Sequence, residues 1–372
     1  MDKKRITPCK QKVIYLDNNG TTKLCPGAKK AMILWLESCA NPSSDSVLAK
    51  QSKKMVEQVR AQILRHCGVK NYSVIFTSGA TESNCLILRS TTDAYKKHTG
   101  KKPHIITSTI EHSSIIKCCK ELKECGRASI TFIEPDVFGC IRPSLVEKAI
   151  TDNTAIISIM MANNEIGSVN DIKSIGEIAH RRKVPLHTDA VQIFGKYRIN
   201  MKENNIDALS MSFHKLYGPM GIGLLIVNNT LIEGYDLKGQ ISGSQQKNLR
   251  GGTENIPSIA SAGEALKCAF VNRIKKNKRM FALKKRIISK MSKELKQGDY
   301  KSYFTSDGKK SNEFLILGPP VTSYEKSRSL PNTLLISFVK NEGKSPFCNV
   351  SLKKALNKKK IIVSVGSACQ TA

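Results

Sequence analysis

Residues 185–219 read PLHTDAVQIFGKYRINMKENNIDALSMSFHKLYGP, and they hold two short apolar runs, each followed by a chemically active side chain. Residues 185–188 and 208–212 have the length and composition of buried strands, Asp189 closes the first, and Lys215 follows the second ahead of a Gly218-Pro219 turn. Outward from this stretch the pattern repeats, with strands expected at 73–77, 104–108, 129–133, 155–160 and 223–227. Helices are expected between or before them at 49–67, 82–95, 113–125 and 172–180. Short β-rich runs alternating with helices predict an α/β domain with a mainly parallel sheet and helices on its faces.

After Thr253 the alternation fades into a Lys-rich helical segment from 259 to about 296, and residues 297–310 have the Gly, Ser, Asp and Lys content of a surface loop. A second domain of α+β type is expected there, in keeping with a length of 372 residues. The composition is globular and holds no apolar run long enough to cross a membrane, so a cytoplasmic protein without a membrane segment is expected. The twelve cysteines are scattered, without a paired spacing that would indicate zinc, so reduced thiols and no metal site are expected. A net charge of +30 attracts polyanions without specificity. Much of it lies at 273–286 and 353–360, where lysines interleave with apolar residues as on solvated helix faces, and no nucleic-acid motif accompanies it.

Several segments carry candidate chemistry. Thr77-Ser78-Gly79-Ala80-Thr81-Glu82-Ser83-Asn84 leads from a strand into a helix, where free N–H groups favour an anion, although an ordinary N-cap turn has the same appearance. Ile110-Glu111-His112-Ser113-Ser114 puts a histidine just beyond a strand, and Asn163-Asn164-Glu165-Ile166-Gly167 puts polar groups beyond another, or simply makes a turn. An acid and a lysine at two strand ends, Asp189 and Lys215, are the minimum that a pyridoxal 5'-phosphate (PLP) site needs: the lysine as Schiff-base former, the acid as partner of the pyridine nitrogen. Ser364-Val365-Gly366-Ser367-Ala368-Cys369 is a small-residue loop that suits a mobile, exposed thiol, though most single cysteines are packing residues.

Together with Tyr15 to Thr22, Asn41-Pro42-Ser43-Ser44, Gln245 to Asn255 and Leu330-Pro331-Asn332-Thr333, these motifs resemble, in order and approximate spacing, the NifS-like cysteine desulfurases of the class V aminotransferase family. The resemblance covers nearly the whole chain from about Val13. It implies the aspartate-aminotransferase-like fold type I, with a large PLP-binding α/β domain at 13–260. A small α+β domain at 261–372, joined by residues 1–12, would carry the cysteine loop.

The resemblance also assigns roles. Lys215 would hold PLP; Ala80, Thr81, Ser212 and His214 would hold its phosphate, and Thr253 would reach that phosphate from the other subunit of a homodimer. His112 would stack on the ring and assist proton transfer, Asp189 would pair with the pyridine nitrogen, and Asn164 and Gln192 would contact ring substituents. Sulfur from L-cysteine would pass to Cys369 as a persulfide, leaving L-alanine, and then to an acceptor protein of iron–sulfur cluster assembly or tRNA thiolation. Lys215, His112 and Cys369 are thus the catalytic candidates.

The pattern is departed from at Ser46 and Ala49, where the family has His and Gly, and at Met220 in place of a Lys. The sequence stops three residues after Cys369, where family members normally continue to an Arg that binds the substrate carboxylate. Either the chain is truncated, or Arg250 or another cation serves together with Asn164 in binding substrate, or the protein is impaired. A selenocysteine lyase, another class V PLP enzyme, or an impaired scaffold that binds polyanions would share most of these residues. The Gly-Ser-Ala-Cys loop separates a desulfurase from an aminotransferase.

Overall fold

A computed structural model describes residues 13–38, 40–294, 297–298, 314–321, 328–338 and 349–366. After β1 (Ile14–Tyr15), α1 (Pro26–Leu36) and α2 (Val47–His66), the central part runs β2 (Tyr72–Thr77), α3 (Ala80–Thr99), β3 (His104–Ser108), α4 (Ser113–Glu124), β4 (Ser129–Ile133), α5 (Pro143–Ala149) and β5 (Thr154–Ser158). It continues through α6 (Ile172–Arg181), β6 (Leu186–Asp189), β7 (Ala208–Ser212), β8 (Gly223–Asn228) and α7 (Asn229–Tyr235). The remaining elements are α8 (Ile256–Phe270), α9 (Arg273–Glu294), β9 (Gln297–Gly298), β10 (Phe314–Leu317), β11 (Leu335–Phe338), α10 (Asn349–Lys358) and β12 (Ile361–Ile362).

Seven strands form one sheet in the order β2-β8-β7-β6-β5-β3-β4. Every neighbouring pair is parallel except those made by β8, which runs antiparallel to both β2 and β7. The short stretch from Phe213 to Ile222 holds one turn of 3-10 helix and no crossover helix, so β8 can only return antiparallel to β7. Strands β3, β5, β6 and β7 are buried at every residue, as expected of strands covered on both faces.

The two faces separate cleanly by strand alternation. Val74, Phe76, Ile157, Leu224 and Ile226 pack with Val56, Val59 and Ile63 of α2, Ile172 and Ile175 of α6 and Ile259 of α8. Ile75, Ile156, Leu225 and Val227 pack with Leu86 to Leu88 of α3, Ile115 and Leu122 of α4 and Leu231 of α7. The result is a three-layer sandwich with a core on each side of the sheet. The amphipathic spacing of Ala49, Ser52, Val56, Val59 and Ile63 seats α2, and Ser46 Oγ starts it by accepting from Ala49 N at 3.1 Å. Ser46 therefore acts as a helix cap.

The single helix expected over 259–296 is two helices. Val271 is extended and Asn272 takes a left-handed φ of 54°, which breaks the run between α8 and α9. Residues 297–298 of the expected loop pair with Phe314 and Leu315 of β10, which in turn pairs antiparallel with β11. The segment before α1 is drawn to the C-terminal part, as β1 pairs in parallel with β12. Lys284 of α9 is buried and donates to Ser329 Oγ at 2.6 Å and Leu330 O at 3.2 Å. Burial pulls that ammonium down to about 8. Among the described residues no helix is long and apolar enough to cross a membrane.

Candidate active site

Parallel strands aim their carboxyl ends the same way, and β2, β3, β5, β6 and β7 deliver the candidate residues to one edge of the sheet. At the end of β7, Lys215 closes a 3-10 turn whose Phe213 is fully buried and receives amide hydrogen bonds from Leu216 and Gly218. Lys215 Nζ donates to the carbonyls of Asn19 at 2.5 Å and Gly20 at 2.6 Å. The same N-terminal segment braces His214: Thr22 N and Oγ1 both donate to His214 O at 2.8 Å, and Thr21 Oγ1 lies 3.2 Å from His214 Nδ1. Burial, helped by the Lys215 charge, lowers His214 to about 4, so its ring is neutral at pH 7.

The start of α3 is built for an anion. Gly79 precedes it without a side-chain cap, leaving the first-turn amides of Ala80 and Thr81 uncapped among the described residues. A Cβ placed on Gly79 would meet only Ser212 Oγ, at 4.0 Å, so there is open space between the helix start and that hydroxyl. Gly223 keeps this geometry, since a Cβ there would come within 2.6 Å of the Gly79 backbone. Glu82 sits in the first turn with Oε2 accepting from Ser78 N at 2.7 Å, and its Oε1 holds Arg250 Nε at 3.1 Å. Arg250 is thus placed beside the α3 terminus and engaged by a carboxylate, and the Asn164 carbonyl accepts from Asn19 Nδ2 at 2.9 Å. Thr253 is exposed. Cys369 lies outside the described residues.

Asp189 is buried at the end of β6, with Oδ1 accepting from Val191 N and Oδ2 from Asn84 Nδ2, both at 2.9 Å. Nearby Gln192 donates to Asn19 O at 3.3 Å, and its buried Oε1 has no partner among the described residues. His112 caps α4, its Nδ1 accepting from Ser114 N at 3.2 Å. The preceding residue, Glu111, is buried with Oε1 accepting from Ser108 Oγ at 2.6 Å and Met160 N at 2.9 Å, while Oε2 has no partner among the described residues. Burial, opposed by those two hydrogen bonds and reinforced by Asp189, pushes Glu111 up to about 8. Glu111 is therefore mostly protonated at pH 7.

That arrangement has a stability consequence. An unfolded glutamate loses its proton near its ordinary value of 4.5, whereas folded Glu111 keeps it to about 8. Between those values unfolding releases a proton, so wild-type stability falls as pH rises, by up to about 1.4 kcal/mol per unit. Glu111→Gln keeps the acceptor and removes the titration. The variant is expected to melt like wild type near pH 5 and above it at pH 8; parallel melting profiles across that range would exclude a buried neutral Glu111.

Asn84, Ser114 and Glu111 lie inside the sequence motifs, where nothing in their spacing marks a role. Asn19, Asn332 and Thr333 are likewise unmarked, yet Asn19 Nδ2 reaches Thr333 Oγ1 at 2.9 Å and Asn332 Nδ2 reaches Asn19 Oδ1 at 2.8 Å. Asn19 therefore ties the loop of Asn164, the 330–333 segment and the carbonyl partners of Lys215 together. The available signal was the density of Asn and Thr in these two motifs, residue types that bond to backbone and to each other in irregular segments.

Known proteins resemble the chain over almost its full length. Cysteine desulfurase IscS of Dictyoglomus turgidum is 33% identical over 365 residues, covering 96% of this chain and 82% of that protein. Cysteine desulfurase IscS of Pseudomonas aeruginosa is 35% identical over 364 residues, covering 96% and 81%. Among solved structures, a NifS-like protein superposes with a TM-score of 0.81 at 28% identity, covering 95% of this chain and 88% of that one. A structure described as SspA in complex with cysteine has a TM-score of 0.74 at 30% identity, covering 96% and 90%. The sequence profile of class V aminotransferases matches residues 14–372, which takes in every strand end and loop described above. With relatives above 30% identity and a family match spanning the site, the chain belongs to the class V aminotransferase family.

Proposed function

We propose that this chain is a PLP-dependent cysteine desulfurase, which takes sulfur from L-cysteine and releases L-alanine. The observation that carries the reading is the meeting of Lys215, Asp189 and the uncapped start of α3 at one sheet edge, in a class V family chain. The names of the similar proteins support the substrate class.

The residues fit the cofactor. The open space between Gly79 and Ser212 Oγ suits a phosphate, the orphaned acceptor Gln192 Oε1 suits a ring hydroxyl, and buried Asp189 suits a protonated pyridine nitrogen. Ala80, Thr81, Ser212 and His214 would hold the phosphate, Asn164 and His112 would line the ring, and Lys215 would hold the group covalently. Bound there, PLP supplies an electron sink for negative charge next to the substrate amino group. The chain's own part is proton handling and sulfur capture: Lys215 Nζ carries the substrate α-proton, and His112 serves as a second proton carrier. The Cys369 thiolate takes the substrate sulfur as the Cβ–S bond breaks; the electron pair stays on carbon, which gains a proton to become the alanine methyl group. Arg250 remains the candidate for the substrate carboxylate, in competition with Glu82.

Residues 13–260 would form the large domain, and 261–372 with 1–12 the small one. The active form would be a homodimer in which Thr253 of each chain completes the other's phosphate site. Support comes from the exposure of Thr253 and from an apolar face on α1 and the start of α2, where Leu34, Leu36, Val47 and Leu48 are exposed. Light scattering is expected to give twice the chain mass, and Thr253→Ala to weaken PLP affinity by about tenfold, the loss of one charge-assisted hydrogen bond. A monomer that binds PLP as tightly would remove the shared site.

The function itself is tested by incubating the purified protein with PLP and L-cysteine, then measuring alanine and mapping added sulfur by mass. Alanine with a persulfide on Cys369 is the expected result. A PLP-loaded protein that forms no alanine from cysteine would overturn the proposal. The persulfide would then be passed to an acceptor protein.

A further inference from the structure

Four side chains run in one hydrogen-bonded line from the floor of the site to its histidine. Asn84 of α3 is fully buried, and its Nδ2 donates both to Asp189 Oδ2 at 2.9 Å and to Ser114 Oγ at 3.0 Å. Ser114 Oγ in turn lies 2.8 Å from His112 Nδ1, the nitrogen that also receives the Ser114 backbone N–H at 3.2 Å. Chemistry fixes the direction at both ends. A carboxylate oxygen only accepts, so the amide nitrogen of Asn84 must face Asp189. A backbone N–H only donates, so His112 Nδ1 accepts from it, but that contact is long at 3.2 Å; the shorter 2.8 Å contact with the Ser114 hydroxyl is what can hold the Nε2–H form firmly.

We propose that Asn84 and Ser114 are positioning residues that couple Asp189 to His112 and hold the imidazole in its Nε2–H form. Asp189 orients the Asn84 amide; the second N–H of that amide occupies Ser114 Oγ; the Ser114 hydroxyl proton is thereby turned toward His112 Nδ1. The acid at the floor and the proton carrier at the wall then respond as one unit. Packing alone does not account for the line. Asn84 lies wholly inside the protein with its Oδ1 buried and without a partner among the described residues, an arrangement that costs stability where an apolar residue would add it.

The proposal rests on the PLP desulfurase reading for the use made of His112, but the line itself is measured without turnover. The experiment is 15N-histidine NMR of the protein before and after PLP is added, with the His112 ring assigned from a His112→Gln sample. Expected is a single wild-type ring with unprotonated Nδ1 and protonated Nε2. Ser114→Ala and Asn84→Ala are expected to give a mixture of tautomers, and Ser114→Thr, which restores the hydroxyl, to return the wild-type spectrum. In alanine formation the two alanine variants are expected to lose about tenfold in kcat with KM within about twofold, a part of what a positioned proton carrier provides. Their double variant is expected to lose no more than either single one. A protonated Nδ1 in wild type, or an unchanged spectrum and kcat in Ser114→Ala, overturns the coupling. If wild type forms no alanine while the tautomer shift appears in the variants, the desulfurase reading fails and the line stands.

Discussion

Lys215→Ala is expected to lose the visible band of covalently held PLP and to reduce alanine formation from cysteine by about four orders of magnitude, the upper range for a positioned proton carrier. On the proposed reading that one Nζ would both hold the cofactor and carry the substrate proton, and the two functions would disappear together. A stand-in among the described residues is Lys196, whose ammonium is pulled down to about 8 by burial and by the charge of Lys215. Its Nζ, however, donates to Gln192 O at 2.6 Å rather than to the carbonyls of Asn19 and Gly20. Residual activity in Lys215→Ala that disappears in the Lys196→Ala double variant would identify that substitute. Added methylamine is expected to restore part of the proton transfer in the single variant. A fully retained visible band would move the cofactor lysine elsewhere.

Cys369→Ser should separate cofactor chemistry from sulfur capture. PLP binding and the spectral response to cysteine draw on Lys215, Asp189 and His112, so both are expected to persist. Alanine formation is expected to fall by at least about a hundredfold, because a hydroxyl near neutral pH is a far weaker nucleophile than a thiolate and cannot store sulfur. Two of the other thiols are poorly suited: Cys67 and Cys119 are buried, and burial raises both well above the ordinary thiol range. Equal alanine production in wild type and variant, or sulfur mapped to a different cysteine, would remove Cys369 from the mechanism.

Much of the sheet was legible because buried parallel strands are continuous apolar runs and their helices carry a clear 3.6-residue stripe. The expected strands 104–108, 129–133 and 208–212 coincide with β3, β4 and β7, and the others lie within a residue or two of the observed bounds. The antiparallel direction of β8 depended on loop length rather than on strand composition. The α8–α9 break depended on one left-handed Asn272 inside a segment of strong helix formers. At the site, single residues with reactive groups at strand ends, Lys215, Asp189 and His112, stood out. Their supports did not, because Asn84 and Asp189 are 105 residues apart and Asn19 and Thr333 are 314 apart. Such pairings arise from sheet order and leave no local periodicity to detect.

The Asn19 hub also bears on biosynthesis. As the chain leaves the ribosome, every strand of the central sheet is available once residue 228 has emerged, and the hydrophobic layers on its two faces can begin to condense. Asn19 must wait for Asn332 and Thr333, and Ile14 for Ile361, before the N-terminal segment that cradles Lys215 can be fastened. Nascent chains stalled between those points would carry a formed sheet with an unsecured cofactor lysine, so competence to retain PLP arises as one of the last events of synthesis.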